Sequence, residues 1–358
     1  MRVDEELLRP GSVLAAEFTS RYLANRSRLT GLRSPAAEPI FERLALIYPA
    51  SIYVENYGRS RPLAVFNPGA LLRGRELLVY PRLVFDYYWY VSSIGLFKVD
   101  SEEVLRGEVP RRVPTRIVLY PSGASDLRGC EDPRVQEAGG ATFILYTAVA
   151  PGERGVEARQ AIARVEGGCA VKMGIFKLVH KGKFYNTFWK DSAIIPLKPP
   201  DVVLLLRPTI PLESGERLEV CWRAEASLSS LSVDCDSMEP LLLNEPFEVK
   251  VGWSTNTLKV SSNEYLVGWH GVGKDLVYRN GLALLGASGE LIGVTNYLLE
   301  PRESIEEFYG DRPGVVFGCG LVKYGEYLLW VGGVSDYAIG VWSTELDKVF
   351  EKMKYVEG

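Results

Sequence analysis

Histidine is scarce in this chain of 358 residues: only His180 and His270 occur, which all but excludes a histidine-rich zinc site. Cysteine is sparse and scattered. Cys130, Cys169, Cys221, Cys235 and Cys319 form no C-x-x-C pair, so buried free thiols are expected rather than a disulfide framework. No run of about 18 apolar residues is present, and "MRVDEELLRPG" lacks the basic-then-apolar pattern of a secretion signal. The expected location is cytoplasmic, with no membrane partner. There is also no Walker loop, no G-x-S-x-G elbow and no G-x-G-x-x-G fingerprint; "GWHGVG" has glycines without the strand–turn–helix setting. Basic excess is missing too. The 41 Lys and Arg face 45 Asp and Glu, giving a net charge of -4 and a pI near 5.6, which argues against nucleic acid as the main partner.

What is present is an ordinary globular composition, 47% hydrophobic and 24% charged, enough for one large domain or two. After about residue 60 the chain reads as short strands: "RELLVYPRLVF", "ATFILYTAVA", "DVVLLLR", "RLEVCWRAE", "NEYLVGWHGV" and "GEYLLWVGGV". They are rich in Val, Leu, Tyr and Trp and bounded by Gly, Asn, Asp and Pro. Helical spacing is confined to the ends. "SVLAAEFTSRYLANRSRL" carries Val13, Leu14, Phe18, Tyr22 and Leu23, which need cover from the body of the protein or from a second copy. "STELDKVFEKMKYV" predicts a short closing helix with Ser343 or Thr344 as its N-cap.

A period runs through the strands. "VFNPGALLRGRELLVYPRL", "GCEDPRVQEAGGATFILYTAV", "FWKDSAIIPLKPPDVVLLLRP", "GWSTNTLKVSSNEYLVGWHGV" and "VFGCGLVKYGEYLLWVGGV" each place a polar or small first strand before a bulkier apolar one. Their centres, near residues 67, 132, 191, 255 and 319, are spaced by 65, 59, 64 and 64. Five units of about four strands predict an all-β, five-bladed β-propeller with an N-terminal helical extension and a short C-terminal helix. The boundaries expected are 1–40 for the extension and 41–358 for the catalytic propeller. A β-sandwich or a pair of β-domains is the alternative, with "PLKPPD" as linker; in the propeller register that segment is only a turn inside the third blade.

The period gives a setting to "GCEDPRV". Pro and three charges do not suit a central strand, but an innermost propeller strand is short, with one free edge. Glu131 and Asp132 would then border a central cavity, together with Asn67, Lys190, Asp191, Asn256 and Thr257 from other units. Such a lining suits a carbohydrate, since carboxylates and amides bind hydroxyls and aromatic rings cover the sugar faces. Cleaving a glycosidic bond needs a proton for the leaving oxygen and a nucleophile for the anomeric carbon. Asp132 is the candidate acid, unless it simply pairs with Arg134 at a strand end. Water as nucleophile requires a second carboxylate as base, for which Asp191, Asp336 and Glu131 are candidates. Inorganic phosphate requires cations instead, and Arg82, Arg134, Lys190, His270 and Arg279 are available.

Several segments, taken together, resemble glycoside hydrolase family 130, the mannoside phosphorylases and related mannosidases with five-bladed propellers. They are "FNPGAL" then "LLVYPRL", "SSIGLF", "GCEDPRV" then "FILYTAV", "WKDSAIIP", "YLVGWHGV", "YRNGLALL", "VVFGCGLV" and "VGGVSDYAIGVW", and they cover roughly residues 60–345. The resemblance implies that Asp132 is the proton donor, acting through a sugar hydroxyl rather than directly on the glycosidic oxygen. It places Asn67, Arg82, Lys190, Asp191 and His270 at sugar- and phosphate-contacting positions, and Glu131, Arg134, Tyr278 and Asp336 complete the expected substrate-binding set. No cofactor is implied beyond inorganic phosphate as co-substrate, and the partners expected are an oligosaccharide and phosphate. A homo-oligomer through the N-terminal helix is a further expectation. "GWSTNTLKV" and "IIPLKP" depart from the family pattern beside the sugar subsites, so the usual acceptor sugar does not carry over. Inverting phosphorolysis of a β-mannoside is the leading reading. An inverting hydrolase of the same fold and a non-catalytic carbohydrate-binding propeller are the alternatives.

Overall fold

The computed structural model describes residues 5–152, 155–302 and 304–356. The protein is mostly β, and most strands fall into five antiparallel meanders that follow one another along the chain. The first comprises Ala64–Arg73, Glu76–Val84, Ser92–Asp100 and Val113–Leu119. The second comprises Gly129–Ala138, Ala141–Gly152, Gly155–Glu166 and Cys169–Ile175. In the third, Trp189–Pro196, Asp201–Pro208 and Cys221–Ser227 are followed by two short strands, Ser232–Asp234 and Glu239–Leu242, that share the outer edge. Glu248–Lys259, Glu264–Gly273, Tyr278–Gly286 and Leu291–Val294 make the fourth. The fifth takes Val316–Tyr324, Tyr327–Val334 and Ala338–Glu345 from the end of the chain and its outer strand, Glu42–Ile47, from near the beginning. Each first strand packs beside the first strand of the next meander, and the fifth packs beside the first.

The second strands explain why the meanders pack face to face. Runs such as Val202–Leu206 and Leu328–Val331 are buried along their whole length, so both faces must be covered. Trp222, Trp253, Trp269, Trp330 and Trp342 are fully buried between meanders. At about 25 cal/mol per Å² each contributes roughly 4–6 kcal/mol of burial before entropic costs. Tight turns set the register. Gly139 and Gly140, at φ 57° and 76°, join the first two strands of the second meander in a two-residue turn that needs left-handed backbone at both positions. "PLKPPD" is the corresponding turn in the third meander, not a linker.

Helix Val13–Leu29 starts at Ser12, whose hydroxyl accepts from the Ala15 amide at 3.3 Å. It buries Leu14, Ala15 and Phe18 in the core of the third meander, with the Phe18 and Trp222 rings 5.9 Å apart. Tyr22 is partly covered, and Val13 and Leu23 stay exposed. The closing helix is shorter than its sequence pattern. It spans Leu346–Glu351 with Glu345 at the N-cap, and the predicted caps Ser343 and Thr344 lie in the preceding strand. Ladder pairing with Leu328 and Leu329 on one side and Glu42 on the other holds those two residues extended. Cys130, Cys221, Cys235 and Cys319 are buried free thiols, and Cys169 is an exposed one. Among the described residues no helix is long and apolar enough to cross a membrane.

Candidate functional site

Every first strand loses its ladder register at the same place, and those breaks are the period seen in the sequence. They fall between Phe66 and Gly69, Glu131 and Arg134, Lys190 and Ala193, Trp253 and Thr257, and Gly318 and Gly320. In the first three, the bulged residues Asn67, Asp132 and Asp191 have φ of 44°, 48° and 61°. Left-handed backbone is uncommon for residues with a Cβ, and Asn and Asp tolerate it best. The bulge turns each side chain into a shared cavity of about 350 Å³. Pro68 and Pro133 are accommodated because a bulge leaves the ladder unpaired; a free strand edge, the reason expected from sequence, is not needed. Tyr90 and Asp336, at φ 53° and 51°, line the same cavity. Five of the nine non-glycine residues with left-handed backbone among the described residues therefore converge on one spot, the kind of clustering expected of a functional site.

One side of the cavity is acidic. Arg82 donates from Nη2 to Glu131 Oε1 at 2.7 Å, from Nη1 to Asp132 Oδ1 at 3.1 Å, and from Nε to Ser92 at 2.8 Å. Asn67 Nδ2 adds a second bond to Asp132 Oδ1 at 3.0 Å, and Oδ2 accepts no hydrogen bond among the described residues. Gly333 makes this approach possible, since a Cβ there would collide with the Asn67 amide. Burial raises the Glu131 carboxyl above its ordinary range despite Arg82. Burial also pushes Asp336 up to about 6, against the pull of Arg82 and Arg312 and with a further push from Asp132.

The other side is cationic. Burial alone would raise Asp191, but Arg207 and Arg134 hold it well below the usual carboxylate range. Arg134 Nη2 lies 3.0 Å from Asp191 Oδ1, and Arg207 Nε lies 3.4 Å from Oδ2. Lys250, which donates to the Tyr278 hydroxyl at 3.1 Å, is brought down to about 7 by burial and by the charges of Arg207 and Lys190. Lys190 lines both this cavity and an adjoining cleft of about 560 Å³ that carries Arg207, Arg217 and Glu219.

Of the residues singled out from sequence, Asn67, Arg82, Glu131, Asp132, Lys190, Asp191, Tyr278 and Asp336 all line the cavity. Arg134 and His270 lie beneath it, 2% and 0% exposed. Arg134 bonds to the backbone oxygens of Asp132, Trp253 and Ser254. His270 stacks behind Tyr278 at 5.7 Å with Nδ1 3.1 Å from the Ser254 hydroxyl, and burial lowers its pKa well below the ordinary value. Asn256 and Thr257, expected in the lining, instead tie meanders together, Asn256 through the Leu321 backbone and Thr257 through Gln136. Arg279 pairs with Asp275 and Glu300 away from the cavity. His180 is on the helix side, 3.0 Å from Asp236.

Sequence reasoning missed Tyr90, Arg207, Lys250 and Arg312. Arg207 carried a signal: it ends the apolar run "VVLLLR" as Arg82 interrupts "LLVYPRLV", and both pair with the residue just before a bulge. Lys250 carried a weaker one, opening the fourth first strand four residues before its bulge.

Comparison with known proteins places these features in a family. The family model of glycoside hydrolase family 130, described as beta-1,4-mannooligosaccharide phosphorylase, matches residues 32–355. A 1,2-beta-oligomannan phosphorylase of Thermoanaerobacter sp. (strain X514) is 25% identical over 299 residues, covering 80% of this chain and 91% of that protein. A beta-1,2-mannobiose phosphorylase of the same organism is 25% identical over 311 residues, with the same coverage. The solved beta-1,2-mannobiose phosphorylase of Listeria innocua, in complex with beta-1,2-mannobiose, shares the fold with a TM-score of 0.67 at 19% identity, over 86% of this chain and 96% of that one.

Proposed function

Because the chain belongs to glycoside hydrolase family 130, a family of enzymes, we propose that it is an inverting β-mannoside phosphorylase with Asp132 as proton donor. The five meanders are read as blades of a propeller, with residues 41–358 as the catalytic body and 1–40 as its extension. In this reading phosphate attacks the anomeric carbon, the bond to the leaving sugar oxygen breaks, and the proton from Asp132 ends on that oxygen by way of a sugar hydroxyl. The product is a sugar 1-phosphate of inverted configuration. The observation that carries the reading is a carboxyl held rigidly by Asn67 and Arg82 in the same cavity as Lys190 and Lys250. Phosphate needs charge neutralisation and orientation, which Lys190 and Lys250 supply in the cavity, with Arg207 in the adjoining cleft behind them. Asp336, raised to about 6, keeps a proton within the acidic cluster under mildly acidic conditions.

A second reading is favoured by Asp336. A carboxylate near 6 in the cavity is suited to deprotonate a water, which would make the enzyme an inverting hydrolase. Incubation with β-linked mannobioses, with and without phosphate, separates the two. Phosphorolysis predicts mannose 1-phosphate and no sugar release without phosphate; release at the same rate in its absence overturns it.

A further inference from the structure

The loop from Asp86 to Val91, between the second and third strands of the first meander, reads "DYYWYV". Tyr90 at its end lines the cavity, and its hydroxyl lies 3.3 Å from Asp311. The two preceding rings are left largely to solvent. Tyr88 is 86% exposed and Trp89 57% exposed. Leaving two large rings in water forgoes burial the loop has no other reason to forgo.

These rings are nonetheless held in place. The Asp86 carboxylate accepts from the Trp89 amide at 2.8 Å and closes the turn. Arg128 backs the indole at 5.3 Å and donates to the Trp89 carbonyl at 3.4 Å. Tyr88 stands edge-on to Trp89, with centroids 5.2 Å apart and planes at 85°. Their position is continuous with the cavity through Tyr90, the next residue. At about 350 Å³ the cavity is at the low end for a ligand pocket, so a long oligosaccharide has to continue outside it. The adjoining cleft mixes charges of both signs, Lys190, Arg207 and Arg217 with Glu157 and Glu219. The aromatic loop reaches the cavity at Tyr90 and presents Tyr88 and Trp89 to solvent beside it in the chain.

We propose that Tyr88 and Trp89 form a stacking platform for sugar units beyond those enclosed in the cavity, so that the enzyme favours chains longer than a disaccharide. A pyranose presents a face of C–H groups, and the negative face of an aromatic ring is complementary to it. The proposal rests on the mannoside reading above and adds chain-length selection to it.

The test compares phosphorolysis of β-mannobiose and a β-mannohexaose by the native chain, by a Tyr88→Ala/Trp89→Ala double variant and by Trp89→Phe. The native chain should favour the hexaose. The double variant should raise the hexaose KM roughly fivefold to twentyfold, with kcat and all mannobiose kinetics unchanged, as expected for two lost ring contacts. Trp89→Phe, which keeps a ring face, should restore most of the difference. Equal effects on both substrates, or none, overturn the platform. So does a change of oligomeric state in the double variant with an unaltered chain-length profile, which would assign the rings to a contact between copies. If the native chain turns over neither substrate, the phosphorolysis reading has failed by itself. Calorimetric titration of the hexaose then decides: weaker binding by the double variant supports the platform, and equal or absent binding by both overturns it.

Discussion

The acidic and cationic sides of the cavity are built alike and respond to pH in opposite directions. Each has a bulged aspartate in left-handed backbone, Asp132 on one side and Asp191 on the other, and each aspartate meets an arginine from its own or a neighbouring second strand. Asp132 Oδ2 accepts no hydrogen bond among the described residues, whereas both oxygens of Asp191 meet arginines, Arg134 and Arg207. Burial raises Asp336 on the first side and lowers Lys250 on the second. A folded pKa of about 6 for Asp336 means that stability falls as pH rises from its ordinary value near 4 towards 6. A folded pKa of about 7 for Lys250 means that stability rises as pH climbs from 7 towards its ordinary value near 10.4. Between about 6 and 7 both groups are charged and both cost stability. A bound phosphate would relieve the cationic half and a sugar hydroxyl the acidic half.

The strongest way to break the parallel is Asp132→Asn. Asn tolerates left-handed backbone, so the substitution removes the acid without adding strain; kcat should fall by about 10³-fold or more with an unchanged Tm. An active Asp132→Asn enzyme would remove Asp132 from the mechanism. Arg134→Ala attacks both sides, because this guanidinium joins the Asp132 carbonyl to the Asp191 carboxylate. Leaving Asp191 partly unpaired in the interior should cost about 3–5 kcal/mol in denaturant unfolding. A loss below 1 kcal/mol would show that Arg207 suffices alone.

Lys250→Met should raise the phosphate KM roughly 10- to 100-fold while the mannoside KM stays within about twofold, since one charge of an anion site is lost. In the native enzyme the phosphate KM should rise as pH increases through about 7, where Lys250 loses its charge; a flat profile would assign the anion to Lys190 and Arg207. The smallest effect expected is on stability. Asp336→Asn should stabilise the fold at pH 7 by about 1–2 kcal/mol, because it replaces a buried carboxylate with a neutral group that also accepts φ 51°. Unchanged or lower stability would mean that Arg82 and Arg312 fully compensate that charge.

Much of this site was legible in the sequence because the bulges repeat. Asn67, Asp132 and Asp191 could be aligned at spacings near 60 since each is the bulged residue of its own first strand, and a bulge demands residues that break strand patterning. The same alignment misled at Asn256, whose strand also breaks register but whose amide satisfies the Leu321 backbone. The fourth break spends its polar groups on packing between meanders, and the fifth holds a buried thiol, Cys319, with no polar side chain. Nothing in the local pattern distinguishes that use from lining a cavity, because both place a polar residue at the same register position. Helix capping failed at Ser343 and Thr344 for a related reason: pairing partners more than ten residues away, and one near the chain start, kept them extended.

The order of residues by itself determined the number of repeating units, the strands within them and the positions of the bulged carboxylates, since all of these follow from local periodicity and from what a bulge tolerates. Tertiary structure added the cations that sequence reasoning missed in the cavity, Lys250 and Arg312, to Arg82 and Lys190. Lys250 faces the cavity and Arg207 the cleft beside it, from different meanders, Arg134 and His270 are buried beneath the cavity, and the strand that completes the fifth meander comes from residues 42–47. Those outcomes depend on how strands far apart in sequence are brought together. They are set by packing between faces, which no single segment of the chain encodes.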